Sequence, residues 1–452
     1  MNSKSFIYED REIKEVGLFG LGRSNLGVFT YLKEKFPHLK FTLRQDKQPD
    51  RLPPGIDRVF YGRCVCDSIR EDILFISPSA RRDRYPITYI KTMGTILCSD
   101  AELFFSRFKG RVFGVTGSDG KSTTTTLAQR LLSTKHNAVA VGNIGEAMTP
   151  HINDAETLIA AELSSFQLNY LAPPCYRALI TNISKNHLNW HTSYEEYISA
   201  KARILENTQQ PIFNYDCPES VCLMKNYSPF AVISRCLSFE ELKNTVGASL
   251  YFTEIDGDIR INGKCVLKAQ SLKLQGTHNI YNFLCAMALC YGEYENEALV
   301  SLAESFAGLA HRAELIGSFR GVRYVNSSID SSPKRTVATL NSQNEKVILI
   351  LGGRSKGLDF SELCPAVAEH ARAVIITGEN REEIFSALCL HPYMPRIYVY
   401  EDFFYAIDRA AEIACEGDTV LLSPASTSYD RFKSFEERGD SFRKYVTEKY
   451  RD

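Results

Sequence analysis

The chain is expected to be an α/β protein of three domains, each built on a parallel sheet, and three observations lead there. Short apolar runs alternate with helical patterns along most of the sequence. Strand ends run into glycine-rich or polar loops, as they do in nucleotide-binding sheets. At about 150 residues per domain, a length of 452 residues accommodates three.

The first domain is placed at 1–108 and opens with an apolar strand over 16–20. It breaks into Gly20-Leu21-Gly22-Arg23-Ser24-Asn25-Leu26-Gly27, and a helical pattern then runs to Phe36: strand, glycine turn, helix. Strands are expected at 41–43, ending on Arg44-Gln45-Asp46, and at 73–76, ending on Ser77-Pro78-Ser79. The second domain, 109–310, has expected strands at 111–116, 138–142, 157–162 and 177–183, an irregular β-rich stretch over 211–275 and a helix over 278–291. The third, 311–452, alternates strands at 322–325, 346–351, 373–377 and 419–423 with helices.

Composition narrows the function. With 53 basic and 54 acidic residues the net charge is −1, so no global field attracts nucleic acid or an anionic membrane, and any anion site is local. The 13 cysteines lack paired metal-ligand spacing; Cys64 with Cys66 and Cys217 with Cys222 have the wrong gaps, and the set reads as reduced core thiols. The N-terminus has no apolar leader and no run of about 18 apolar residues occurs, so a soluble cytoplasmic protein is expected.

Val115-Thr116-Gly117-Ser118-Asp119-Gly120-Lys121-Ser122-Thr123 lies between a strand and a helix, where backbone N–H groups and the helix N-terminus can hold phosphate. Lys121 would meet the terminal phosphates and Ser122 a magnesium ion. The strict GxxxxGKS spacing fails because position 115 is Val. Asn143, Glu162 and His187 stand at the ends of neighbouring strands and can share the same crevice. Glu162 follows the apolar run TLIAA, so its carboxylate needs a metal ion or a cationic partner; a structural ion pair is the ordinary alternative. The spacing of Gly20, Gly22 and Gly27 is not the dinucleotide fingerprint and favours a nucleotide other than NAD. In the third domain, GGRSKGLDF presents Lys356 and LLSPASTSYDRFKSF presents hydroxyls and Lys433, which together suit a carboxylate or phosphate, although each alone is an ordinary loop.

Together these segments resemble the Mur ligases of peptidoglycan synthesis over essentially the whole chain. TGSDGKST is similar to the family's ATP loop, GNIG and ELSSFQL to its next motifs, NHLNWH to its histidine loop and YISAKARI to the segment bearing a carbamylated lysine. GTHNIYN, HRAE, LGGRSKGLDFS and SPASTSYDRFKSFEERG complete the order, and ELSSFQL and the last are typical of the D-glutamate-adding branch. The resemblance implies an N-terminal Rossmann-like domain binding UDP, a central P-loop ATPase domain and a C-terminal Rossmann-like domain binding an amino acid. It implies ATP with two magnesium ions, UDP-N-acetylmuramoyl-L-alanine and D-glutamate as substrates, no nucleic acid or membrane partner, and a monomer.

Carried over residue by residue, Gly117, Ser118, Asp119, Gly120, Lys121, Ser122 and Thr123 hold ATP, with Asn279 and Asn282 at the adenine and Arg312 at the triphosphate. Ser122, Glu162, His187 and a carbamylated Lys201 hold magnesium, and Lys121, Glu162, His187 and Lys201 form the catalytic set. Gly22, Arg23, Ser24, Ser77 and Ser79 take the UDP portion, and Asn143 and His187 approach the muramoyl group. Ser331, Lys356, Ser428 and Phe435 form the D-glutamate site. The chain departs from the pattern at Asn186 and Asn189, which replace acids, and at Ser327, which replaces a ribose-binding acid that Asp330 could substitute. Arg44 occupies the strand end where the family has a uridine-contacting Asp. The competing readings are a ligase adding L-glutamate or another amino acid to a muramoyl or folate-like acceptor, a nucleotide-dependent switch, and a nicotinamide oxidoreductase.

Overall fold

Alternation of buried strands with capped helices produces the sheets of the computed structural model, which describes residues 5–49, 52–78, 80–188, 190–343, 345–355 and 357–451. A hairpin of β1 (Phe6–Tyr8) and β2 (Arg11–Ile13) precedes the first sheet. That sheet comprises β3 (Glu15–Phe19), β4 (Lys40–Gln45), β5 (Arg58–Tyr61), β6 (Ile73–Ile76) and β7 (Ile96–Cys98), all parallel, in the order β5-β4-β3-β6-β7. The chain reverses its direction of growth between β3 and β6, so the glycine turn after β3 and the Ser77 loop after β6 flank one crevice.

The second sheet contains β8 (Val112–Thr116), β9 (Ala138–Gly142), β10 (Leu158–Glu162), β11 (Arg177–Ile180), β12 (Gln210–Asn214), β13 (Ala231–Ser234), β14 (Leu250–Ile255), β15 (Asp258–Ile261) and β16 (Lys264–Lys268). Its order is β16-β15-β14-β13-β12-β11-β8-β10-β9, parallel from β9 to β14 and antiparallel beyond. The stretch 211–275, expected to be irregular, continues this sheet. Helices Pro218–Met224 and Phe239–Thr245 provide its crossovers, and their brevity concealed the βα alternation. Central β8 and β10 are buried at every residue, as strands covered on both faces must be.

The third sheet comprises β17 (Glu314–Phe319), β18 (Val322–Asn326), β19 (Val347–Gly352), β20 (Ala371–Thr377), β21 (Arg396–Val399) and β22 (Thr419–Leu422). The order is β17-β18-β22-β19-β20-β21, parallel except for β17. The α/β class with three mostly parallel sheets is therefore as expected. The chain forms two compact units, Met1–Phe306 with the first two sheets and Ala307–Asp452 with the third. All thirteen cysteines are free thiols. Among the described residues no helix is long and apolar enough to cross a membrane.

Candidate active site

The loop after β8 is shaped by glycines that no other residue could replace without displacement. At Gly117 (φ 148°) a Cβ would lie 1.9 Å from Thr181 Oγ1, and at Gly120 (φ 77°) 2.2 Å from Asn282 Oδ1. Gly120 caps helix Lys121–Leu132, so the helix N-terminus and its free N–H groups close the loop, with Ser122 buried and Thr123 half-buried in the first turn. Lys121 Nζ donates to Ser118 O at 2.8 Å. The Ser118 hydroxyl, expected among the nucleotide contacts, pairs with Tyr197 Oη at 2.8 Å and accepts from Ser184 N at 2.8 Å, so it braces the loop. Asn182, just past β11, accepts from Asp119 N at 3.0 Å and donates to Asp119 O at 3.1 Å.

Register places Glu162 opposite Val115 on one side and Gly142 on the other, at the mouth of the same crevice. Glu162 is fully buried; Oε1 accepts from Asn143 Nδ2 at 2.9 Å, while Oε2 has no hydrogen-bond partner among the described residues. Lys201, on helix Tyr194–Glu206, is 2% exposed and is no solvated surface charge. Its Nζ donates to Gly117 O at 2.6 Å and sits 4.6 Å from the Tyr197 ring centre. Burial, and then the nearby Lys121 ammonium, push the Lys201 amine well below the ordinary lysine range.

His187 is exposed, with φ 55°, its ring 5.0 Å from Phe166. The buried imidazole of this loop is His191, which pairs through Nε2 with Ser165 Oγ at 2.9 Å and is lowered by burial to about 4. Among the described residues no group of three or more His, Cys, Asp or Glu could hold a metal. The chemistry present is one buried carboxylate with an orphaned oxygen, the Ser122 hydroxyl, an exposed imidazole and an amine that becomes a ligand only if converted to an anion. An unsatisfied buried carboxylate oxygen beside a phosphate-shaped loop fits a divalent cation.

A cavity of about 420 Å³ adjoins the loop, lined by Asp119, Gly120, Asn182, Asp216, Tyr281 and Asn282 among others. Asn282 Nδ2 donates to Asn279 Oδ1 at 3.2 Å and Asn279 Nδ2 to Gln275 O at 2.8 Å, which orders both amides on helix Thr277–Leu289. Tyr281 Oη donates to Asp216 at 2.7 Å. Asn182 and Asp216 escaped the sequence reading, although a polar residue just beyond a buried strand is the signal that would find them.

In the first sheet, Gly22 caps helix Arg23–Lys35, and buried Asn25 pins the glycine turn by donating to Phe19 O, Gly20 O and Phe75 O at 3.0, 2.9 and 3.2 Å. Ser24 hydrogen-bonds the Asp100 carboxyl, which burial raises. Arg23 reaches carbonyls of the Asn143 loop. Ser77 lies at the crevice through the turn in which its carbonyl accepts from Ala80 N at 2.9 Å; Ser79 lies outside the described residues, as does Asn189. Arg44 does not face a ligand. It is fully buried, bidentate to Glu71 through Nη2 at 2.9 and 3.0 Å and bonded by Nη1 to Val65 O at 2.6 Å, because an apolar interior demands full pairing of a guanidinium.

In the second unit β18, β22 and β19 are neighbours, so the loops after them, carrying Ser331, Ser428 and the Gly352-Gly353 turn, adjoin. Arg438, 2% exposed, ties them by donating to Ser328 Oγ at 3.0 Å, Ser328 O at 2.9 Å and Ser426 O at 3.0 Å. Ser428 is buried, and Phe435 opens helix Phe435–Tyr450 with its ring 6.1 Å from His311. Arg312 stands next to His311, where Ala313 N donates to Ser327 Oγ at 3.2 Å. Asp330 is no free ribose acid: its Oδ2 accepts from Ser423 Oγ at 2.8 Å and Thr339 Oγ1 at 2.7 Å. Lys356 lies outside the described residues.

Residues 115–290 match the Mur ligase middle domain and residues 311–426 the Mur ligase glutamate ligase domain. A UDP-N-acetylmuramoylalanine–D-glutamate ligase of Clostridium perfringens is 36% identical over 447 residues, covering 96% of each chain. The ligase of the same name from Clostridium novyi is 34% identical over 453 residues, again covering 96% of each. Among solved structures, a UDP-N-acetylmuramate-alanine ligase from Thermotoga maritima superposes with a TM-score of 0.60 at 17% identity, covering 97% of this chain and all of that one, a likeness of fold.

Proposed function

The chain belongs to the Mur ligase family, ATP-dependent amide ligases of peptidoglycan synthesis, and from that premise we propose that it adds D-glutamate to UDP-N-acetylmuramoyl-L-alanine in the cytoplasm. In this reading residues 1–108 bind the UDP substrate, 109–310 bind ATP and 311–452 bind the amino acid. The observation that carries it is Glu162: a fully buried carboxylate with one oxygen held by Asn143 and the other unpartnered, beside the Lys121 loop. The activity for which the two Clostridium relatives are named supports the choice of D-glutamate.

The substrate carboxylate would attack the γ-phosphorus of ATP, forming an acyl phosphate and releasing ADP; the amine of D-glutamate would then attack the carbonyl, forming the amide and releasing phosphate. The chain's part is positioning and charge neutralisation. Lys121 and the helix N-terminus would hold the phosphates, Asn279 and Asn282 would face the adenine, and Gly22, Arg23, Ser24, Ser77 and Ser79 would hold the UDP portion. Ser331, Lys356, Ser428 and Phe435 would receive D-glutamate. Magnesium, held by Ser122, Glu162, His187 and Lys201, would offset charge developing on the transferred phosphoryl group. Lys201 serves once its neutral amine attacks CO₂, forming an N–C bond and giving up a proton to solvent; burial of the amine favours the neutral form that this step needs.

The deciding assay is phosphate release from ATP. Turnover should require both UDP-N-acetylmuramoyl-L-alanine and D-glutamate, and L-glutamate should be inert; equal use of both enantiomers, or release with no amino acid, would sink the assignment. Intact mass under CO₂ should show carboxylated Lys201, and short carboxylic acids should partly restore Lys201→Ala. Lys356→Ala should raise the KM for D-glutamate far more than that for ATP.

A further inference from the structure

Arg23 leaves the glycine turn of the first sheet and reaches the loop after β9 in the second. Its Nη1 donates to Gly145 O at 2.8 Å, and its Nη2 to Gly142 O at 3.1 Å and Asn143 O at 3.3 Å. The same loop holds Glu162 twice, through Asn143 N to Glu162 O at 3.0 Å and Asn143 Nδ2 to Oε1 at 2.9 Å. A continuous chain of hydrogen bonds therefore runs from the turn at the first sheet's crevice to the carboxylate whose other oxygen is unsatisfied.

Arg23 is exposed, and its three carbonyl contacts, all through Nη1 and Nη2, do not exhaust its five N–H donors and leave Nε unused among the described residues. An anion in the crevice can bind this free edge while the carbonyls keep the other. Arg81 provides the contrast. Its guanidinium, in the loop after β6, donates to Trp190 O in the histidine loop and is bidentate to Asp83 through Nε and Nη2 at 2.8 and 2.6 Å, so its Nε edge is already occupied by a carboxylate.

We propose that Arg23 is a positioning residue coupling the diphosphate site to the metal site. A nucleoside diphosphate sugar fixes the guanidinium, the guanidinium fixes the Gly142–Gly145 loop, and Asn143 then holds Glu162 with Oε2 presented to a divalent cation. The ordering of an exposed arginine and a glycine loop is completed when the first ligand binds, so the second binds more tightly. Linkage makes the effect reciprocal. The proposal rests on the reading that the first sheet's loops take the UDP substrate.

The test uses the full chain with Mn²⁺ as the probe, its binding followed by electron paramagnetic resonance with and without UDP-N-acetylmuramoyl-L-alanine, and calorimetry of that compound with and without Mn²⁺. Wild-type protein should bind Mn²⁺ about 5- to 20-fold more tightly with the compound present, and the compound more tightly by the same factor with Mn²⁺. In Arg23→Ala and Arg23→Gln the factor should fall below about 2, with Arg23→Lys in between. Melting curves confirm that each variant is folded. If Arg23 merely contacts the diphosphate, the variants weaken the compound equally with and without Mn²⁺ and the factor survives, which overturns the proposal. An absent factor in the wild type also overturns it. Failure of the compound to bind wild type at all defeats the substrate reading instead.

Discussion

Substituting Gly120 by alanine tests whether the loop after β8 is shaped for phosphate. Alanine at φ 77° costs about 1–2 kcal/mol, since an L side chain meets its own carbonyl there. The new Cβ would also stand 2.2 Å from Asn282 Oδ1, so that amide must turn away. Its bonds with Asn279 at 3.2 Å and Thr124 at 3.4 Å are then lost, at roughly 0.5–1 kcal/mol each for weak contacts. The expected destabilisation is about 2–4 kcal/mol, read by urea unfolding. Because strain and displaced amide both lie at the nucleotide cavity, calorimetry should show ATP binding weakened at least ~10-fold, equivalent to about 1.4 kcal/mol, with UDP-substrate affinity retained. Gly94→Ala is the control: φ is 87° but nothing lies within 4 Å, so only the backbone cost of about 1–2 kcal/mol applies. Equal effects of the two substitutions on stability, or unchanged ATP affinity in Gly120→Ala, would refute the reasoning.

Lys121→Ala should abolish phosphate release while melting within about 1 kcal/mol of wild type, because the role proposed for the ammonium is on the phosphates. Glu162→Gln should fold normally but lose Mn²⁺ binding; a loss of ~3–5 kcal/mol in stability would instead mark a structural ion pair. Burial lowers the His191 imidazole to about 4 in the folded protein, whereas it protonates near 6.5 when unfolded, so its contribution is complete above pH 6.5 and lost as pH falls through about 4. That is roughly 3 kcal/mol, and it should appear as the pH-dependent part of the difference between the stability–pH curves of wild type and His191→Gln, falling away between pH about 6.5 and 4. Arg438→Ala should cost ~3–5 kcal/mol by leaving Ser328 and Ser426 carbonyls unpaired in the interior, and the surviving folded protein should show a raised KM for D-glutamate with that for ATP retained.

Strand positions and the three-sheet class were legible because parallel strands buried on both faces are continuous apolar runs: 73–76 coincides with the fully buried β6. Exposed or partly covered strands such as β5, β17 and β21 carry mixed residues and gave no such signal. Within the site, polar residues just beyond strands pointed to Asn143 and Glu162, but the partner each chooses depends on register, which pairs distant segments. Lys201 shows the limit most clearly. Its helix looks amphipathic and its charge ordinary; only the packing of that helix beneath Gly117 buries the ammonium. Arg44 errs in the opposite direction, since the pairing with Glu71, 27 residues on, turns an apparent strand-end contact into core.

The central place of β8 has a consequence for synthesis on the ribosome. Although first in chain order within its sheet, this strand lies between β10 and β11, which emerge some tens of residues later. The loop beginning at Gly117 thus leaves the exit tunnel with neither flanking strand available, and Asn282, which closes against Gly120, arrives last of all. On the proposed function, nascent chains halted before helix Thr277–Leu289 emerges lack the two amides assigned to the adenine, so ATP would stabilise the first unit fully only once that helix is in place.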